Sequence, residues 1–318
     1  MRKFRMSKIF FWHTITLFLL SGSPSQAQTD PDYQPVSAIV TLDSFVVTAT
    51  RQGFDVNDFI RLVREDRSFY QAFRNLRSSA YLFDSQIFMY NKKGKEKASH
   101  VARNRQNFDG QCRTMDVLEE KVTGNYYRRK GTHRYYTGQL LETLFFTKGR
   151  VCLSENPEDG QGVSSGMAKH IQELKKLIFS PGERANVPFI GHKTAIFEPE
   201  MMPFYDYSIS SQMYGEGIDC YVFSAKVKPD FEERKTGKTV IKSLETWFEK
   251  STFQVIARRY QLQYSTIFYD FDVQMHIRLT RLGDRYFPEI IEYDGRWDIP
   301  GRKPEIGRFT LHFHHFNP

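Results

Sequence analysis

Hydrophobic and polar residues alternate in the C-terminal third of the chain. In residues 266–280 every second position is apolar, and these positions are Ile267, Tyr269, Phe271, Val273, Met275, Ile277 and Leu279. The residues between them are polar apart from Phe268. Such alternation indicates a strand with one buried face. At about 3.3 Å per residue the strand is roughly 50 Å long, which is typical of a large curved sheet rather than a compact sandwich.

Other segments predict further strands and two helices. Runs of β-favouring residues between turn residues predict strands at 220–227, 239–248, 253–262, 286–293 and 308–316. Leu144 to Phe146 is interpreted as another strand. Apolar residues at three- and four-residue spacing predict helices at about 55–77, capped by Asp55, and at about 165–179. The predicted fold class is α+β: a large curved antiparallel sheet, or incomplete β-barrel, with covering helices.

The first 27 residues have the three parts of a secretory signal peptide. Basic residues between Arg2 and Lys8 precede an apolar run of about 12 residues, too short for a bilayer core of ~30 Å. Small residues then predict cleavage after Ala27, followed by a linker at 28–36 and a single domain at 37–318. No Cys follows the apolar run and no later stretch reaches 18 apolar residues. We therefore expect a periplasmic protein without a lipid anchor or transmembrane span.

Composition and charge restrict the class of partner. The protein has 318 residues, of which 40% are hydrophobic, including 28 Phe and 17 Tyr, so it is able to fill a large core. Its net charge is +8, but four of its 45 Lys and Arg lie in the leader, which has no acid. Without these four residues, 41 Lys and Arg remain against 37 Asp and Glu, a net charge of +4. This excess of positive charge is too small to predict a nucleic-acid partner.

Three cysteines follow the leader. In an oxidising compartment this odd number predicts one disulfide and one thiol. Cys220 begins a predicted strand, where a thiol packs as a small apolar residue. Cys112 and Cys152 lie in polar, loop-flanked segments and are the predicted pair.

Two motifs bear on catalysis. The sequence GVSSG at 162–166 matches the G-x-S-x-G pattern of hydrolases, but it follows a loop rather than a strand, so helix capping explains it. His312 and His314 share a strand face with a metal-ligand spacing, close to His315. Asp270, Asp272 or His276 supplies a third ligand if the strands at 266–280 and 308–316 are neighbours. Otherwise these side chains form solvated strand faces. No metal, cofactor or catalytic residue is predicted.

Two segments resemble known families. CYVFSAKVKP from Cys220, TVIKSLETWFEKSTFQVIARRYQL from Thr239 and the long strand containing DFDV resemble the outer-membrane lipoprotein-sorting family (LolA/LolB-like). The order of elements agrees over about 55–316, although segments 100–125 and 154–215 have no counterpart. This resemblance implies helices over an incomplete barrel that holds a lipid-like ligand in the periplasm. LDSFVVTATR at 42–51 resembles the stretch after carboxypeptidase-regulatory-like domains in outer-membrane receptors, which implies an exported protein of an outer-membrane-bearing bacterium.

Three functions follow as hypotheses. The predicted helices span ~30 Å and ~17 Å and leave part of the long strand's apolar face uncovered. The first hypothesis is a non-catalytic envelope protein that binds a lipid or lipidated partner there, with an outer-membrane component as a further partner. Its expected ligand-binding residues are Ile267, Tyr269, Phe271, Val273, Met275 and Ile277. The alternatives are a structural or interaction protein with a self-filled core, and a metal-dependent enzyme that uses the His and Asp clusters.

Overall fold

A computed structural model describes most of the residues that follow the predicted leader. The described residues are 55–153, 179–180, 182–186, 191–215, 217–232, 237–265, 270–298 and 303–317, and they belong to one compact unit. The predicted signal peptide, the linker, the LDSFVVTATR segment and the GVSSG motif lie outside them, as does the helix predicted at 165–179 except for Phe179.

The unit is built on one sheet of eleven strands. They are β1 Ala80–Tyr90, β2 Glu96–Phe108, β3 Cys112–Gly124, β4 Val151–Cys152, β5 Tyr205–Tyr214, β6 Ile218–Val227, β7 Ile241–Glu249, β8 Val255–Ser265, β9 Asp270–Leu282, β10 Arg285–Asp298 and β11 Glu305–Asn317. Their spatial order is β4-β3-β2-β1-β11-β10-β9-β8-β7-β6-β5, with all neighbours antiparallel.

The sheet consists of two meanders that meet at β1 and β11. In this central pair Phe83 lies opposite Phe313 and Asp84 opposite His312, which joins the two ends of the described region. The strands β4 and β5 form the two edges, so the sheet is open rather than closed into a barrel. The predicted fold class is therefore confirmed. The six C-terminal strands also lie where their alternation places them, although 266–269 is outside the described residues.

The single helix predicted at 55–77 is wrong, because this segment forms two helices: α1 Val56–Glu65 and α2 Ser68–Leu76. Asp55 caps α1 as expected, accepting a hydrogen bond from the Asp58 backbone N–H at 2.9 Å. Between the helices, the Asp66 carboxylate accepts from the backbone N–H groups of Ser68 and Phe69 at 3.1 and 3.2 Å. A carboxylate that satisfies the first N–H groups of a helix starts a new helix at that point.

The strand predicted at Leu144–Phe146 is also wrong, because this segment ends helix α3 Tyr136–Phe145. The carboxylate of Glu305 on β11 accepts from the backbone N–H groups of Tyr136 and Thr137 at 2.7 and 3.0 Å. Because this cap comes from a residue 168 positions away, no local sequence pattern predicts the start of the helix. Segment 100–125, which has no counterpart in the resemblance, forms parts of β2 and β3.

The two faces of the sheet differ in character. We call the face that carries Phe83, Phe223, Ile277 and Phe313 the inner face; these side chains are buried. The helices pack against it: Phe59 of α1 contacts Phe248, and Phe145 of α3 contacts Phe313. The outer face carries cross-strand ion pairs. Within the described residues, no helix combines the length and apolarity needed to cross a membrane.

Candidate functional site

Four of the ligand-binding residues predicted from the sequence lie on the inner face of β9. Phe271, Val273 and Ile277 are buried there, and Met275 is half-buried. Ile267 and Tyr269 lie outside the described residues. The structure therefore places the four described residues on one apolar face, as their alternation requires, and leaves only Met275 partly accessible among them.

Aromatic rings on both neighbouring strands flank Met275. It lies opposite Tyr260 of β8 and Tyr293 of β10, and both rings are buried. The Tyr293 ring stacks on Phe309 of β11 with centroids 4.6 Å apart and planes 6° apart. At this site a flexible thioether side chain thus lies between two rigid aromatic rings. This combination adapts to apolar partners of varied shape.

Two glycines adjust the shape of this surface. Gly295 and Gly307 lie opposite each other on β10 and β11. A Cβ at Gly295 would overlap the ring of Tyr293, and a Cβ at Gly307 would crowd the thioether of Met89. These glycines therefore let large side chains lie flat along the sheet. Neither glycine is among the site residues predicted from the sequence, although glycine within an alternating strand is a signal of close packing.

An aromatic cluster closes the end of the site at the start of β9. Val240, Tyr264 and Phe271 form a buried group, against which Leu262 and Trp297 pack half-buried. The Lys193 ammonium donates to the Tyr264 hydroxyl at 2.8 Å and lies 4.7 Å from the centre of its ring. This end of the apolar surface therefore carries a cation next to its aromatic rings.

A buried ion pair connects the helices to the inner face. Arg258 of β8 lies opposite Ile277 and is completely buried. Its guanidinium lies 3.6 Å from the Asp66 carboxylate and 4.3 Å from the centre of the Phe69 ring. This pair is not among the predictions from the sequence. The signal that could have indicated it is an arginine on the same strand face as two apolar residues, Ile256 and Tyr260.

A second polar group lies beneath α3. Glu142 receives hydrogen bonds from His133 and Tyr127, with oxygen-to-donor distances of 2.6 and 3.1 Å. Burial by itself raises the pKa of Glu142, but the contacts with His133, Lys148 and Tyr127 outweigh burial and lower it overall. Nearby, His100 contacts the Glu120 carboxylate at 2.7 Å. The contacts of Glu142 hold α3 to the segment that contains Tyr127 and His133, whereas the His100–Glu120 contact joins β2 to β3.

The outer face separates the predicted His and Asp residues into two groups. His312 and His314 lie on β11, whereas Asp270, Asp272 and His276 lie on β9, with β10 between them. Asp270 forms an ion pair with Arg296 at 3.0 Å, and His276 contacts Glu292 at 3.1 Å. The condition for a third ligand from β9, that the two strands are neighbours, is therefore not met. The carboxylate next to His314 is instead Asp84 of β1, at 3.1 Å.

The cysteines lie at one edge of the sheet and in its interior. Cys112 of β3 lies opposite Cys152 of β4, with their sulfur atoms 1.98 Å apart. Cys220 is a buried thiol on β6, and burial raises its pKa to about 11. A thiol with so high a pKa is protonated at neutral pH and therefore a weak nucleophile.

No protein-family model matches the sequence, and no curated protein matches it. Solved structures do match. A DUF1329 family protein from Desulfovibrio piger is 11% identical, and the match spans 88% of this chain and 92% of that protein with a TM-score of 0.25. An outer membrane lipoprotein-sorting protein domain from Vibrio parahaemolyticus is 7% identical (77% and 88% covered, TM-score 0.26). A LolA superfamily protein from Nitrosomonas europaea is 9% identical (81% and 92% covered, TM-score 0.23). Two of these three solved structures thus come from the group of proteins that segment 220–280 resembles.

Proposed function

We propose that this protein is a non-catalytic periplasmic protein of the cell envelope that binds an acyl chain, from a lipid or a lipidated partner, on the inner face of its sheet. The observation that carries the proposal is the half-buried Met275 in a row of apolar residues, between the rings of Tyr260 and Tyr293. One of the matched structures is described as a lipoprotein-sorting protein domain, and lipoprotein sorting is a role of the same class.

The chemistry of the inner face suits an aliphatic ligand. Burial of each CH₂ group contributes about 0.8 kcal/mol, so a long acyl chain gains enough to offset the cost of ordering it. The cation of Lys193 lies at the end of the face, beside Tyr264, and would be near a polar or anionic head group. The outer-membrane partner expected from the sequence would then be the donor or acceptor of the lipid.

Replacing Met275 by Asp tests the proposal with a fluorescent fatty acid as the probe. The substitution places a carboxylate on the inner face, so we expect uptake to be lost while the cooperative melt is retained, because Met275 is only partly buried. Gln274→Asp is the matched control. It adds the same charge one residue away on the exposed outer face, and uptake should be unchanged. Uptake that is equal in both variants, or absent from the wild-type protein, would contradict the proposal.

A specific observation also favours a second candidate, the interaction protein with a self-filled core. Phe271, Val273 and Ile277 are buried within the protein itself. In that case the wild-type protein takes up no fatty acid, and Phe271→Asp abolishes folding because it places a charge in the cluster with Val240 and Tyr264. Under the lipid-binding proposal, the wild-type protein takes up the probe.

A further inference from the structure

Three side chains with metal-binding atoms meet on the outer face, at the seam between β1 and β11. Asp84 lies directly opposite His312, and His314 is the next outward residue on β11. One carboxylate oxygen and one ring nitrogen from each histidine all lie within 4.8 Å of one another. The proposed lipid site is on the opposite face and uses none of these residues.

The ring of His314 is held from both sides. Its Nε2 lies 3.1 Å from Oδ2 of Asp84, and its Nδ1 faces Nδ1 of His315. A metal-binding histidine is typically oriented by a partner on the ring nitrogen that does not bind the metal. His315 is placed to supply that contact, which leaves Nε2 directed at Asp84.

A β-bulge brings His315 to this side of the sheet. Ala80 lies opposite Asn317 and Leu82 opposite His314, so β11 has one extra residue here. His315 has φ 52°, in the left-handed region, and its ring centre lies 4.7 Å from that of His314. In a regular strand these consecutive residues would point to opposite faces. The bulge therefore gathers a third imidazole next to the first two.

Asp84 is oriented as a ligand by a second residue. Its Oδ1 accepts a hydrogen bond from Nε of Arg103 at 2.9 Å, so Oδ2 is the oxygen that faces the histidines. The Arg103 guanidinium therefore fixes which oxygen of Asp84 is directed at the two imidazoles.

We propose that Asp84, His312 and His314 bind one divalent transition-metal ion of the zinc class, with His315 orienting His314. Two imidazoles and one carboxylate suit Zn²⁺, and Cu²⁺ and Ni²⁺ after it, rather than Mg²⁺ or Ca²⁺, which prefer all-oxygen sites. The bound ion joins β1 to β11, and Asp84 is 230 residues from His314. It therefore links the two meanders of the sheet at their only shared pair of strands among those described.

Zinc titration of the untagged full-length mature protein by calorimetry tests this site, with thermal melts in parallel. We expect one Zn²⁺ per protein molecule at micromolar or tighter affinity, and a rise in Tm of roughly 5 °C when free zinc is ~100-fold above Kd. His312→Ala and His314→Ala should each weaken binding at least about 10-fold. His276→Ala is the matched control, because it removes an outer-face histidine that also contacts a carboxylate, and it should leave the affinity unchanged.

Three results would overturn the proposal: no saturable binding to the wild-type protein, equal affinity in both variants and the wild type, or an equal loss in His276→Ala. A metal-free melt checks that each variant folds. If His314→Ala does not fold, His314→Gln replaces it, since the amide keeps a polar contact to Asp84 but is a poor zinc ligand. Retained affinity in that variant counts against the site, and a loss supports it.

Discussion

Replacing Asp66 by Ala is expected to lower the free energy of unfolding by about 3–5 kcal/mol. The carboxylate is almost completely buried and has two roles: it caps α2 through Ser68 and Phe69, and it neutralises the buried guanidinium of Arg258. Loss of the cap alone costs about 1 kcal/mol. The larger part of the loss comes from leaving Arg258 buried without its carboxylate, because a buried charge cannot recover its hydration.

A double-mutant cycle separates these two contributions. Arg258→Met in the Asp66→Ala background removes the buried charge, so it should restore most of the lost stability and leave a deficit close to the cost of the cap. Asp294→Ala is the exposed control. It breaks the surface ion pair with Arg308, in which the Arg308 and Asp294 side chains are 62% and 53% exposed, and should cost at most about 1 kcal/mol.

Urea denaturation followed by tryptophan fluorescence measures each difference, and Trp247 and Trp297 both lie in the sheet. Asp66→Ala should lower the midpoint far more than Asp294→Ala does. The reasoning is refuted if the two variants lose equal stability, or if Arg258→Met adds a further loss instead of restoring stability. Either result would mean that the buried pair does not hold the helices to the inner face.

Three further predictions concern the rest of the fold. Gly138→Ala should cost about 1–3 kcal/mol, because its Cβ would overlap the hydroxyl and ring edge of Tyr126, and Tyr126→Phe should restore part of the loss in urea denaturation. The pKa of Glu142 is lowered in the folded protein, so its contribution to stability is present above about pH 4.5 and disappears as pH falls through the folded pKa. The free energies of unfolding of the wild-type protein and Glu142→Gln should therefore differ at pH 7 and converge in acid. Non-reducing peptide mapping should recover Cys112 and Cys152 in one disulfide-linked peptide, and separate alkylated peptides would contradict this. In the chain-entropy model, closing their 40-residue loop contributes about 3–4 kcal/mol, so a reductant should lower Tm.

Alternation predicted the sheet well because it depends only on which face of a strand is buried. Each of the strands β6 to β11 has enough alternate residues to indicate its apolar face. The helices were harder to predict, because contacts distant in sequence determine where they begin. Glu305 caps α3 from β11, and no pattern near Tyr136 contains that information.

The candidate sites likewise combine features that a local pattern predicts with features that depend on contacts distant in sequence. The row from Phe271 to Ile277 follows from the sequence, whereas the Asp66–Arg258 pair requires knowing that α2 lies over β8. The proposed metal site is a further example. The spacing of His312 and His314 is visible in the sequence, but the partner beside them depends on strand order, which places Asp84 there rather than a residue of β9.

Native mass spectrometry of the protein purified from its own cell envelope tests the central claim, that an acyl chain binds on the inner face. We predict a mature protein that begins at Gln28 and carries a noncovalent adduct with the mass of a lipid, released on activation in the gas phase. The adduct should be absent from Met275→Asp and present in Gln274→Asp. A wild-type spectrum that contains only the mass of the protein without a lipid, under conditions that preserve other protein–lipid complexes, would contradict the claim.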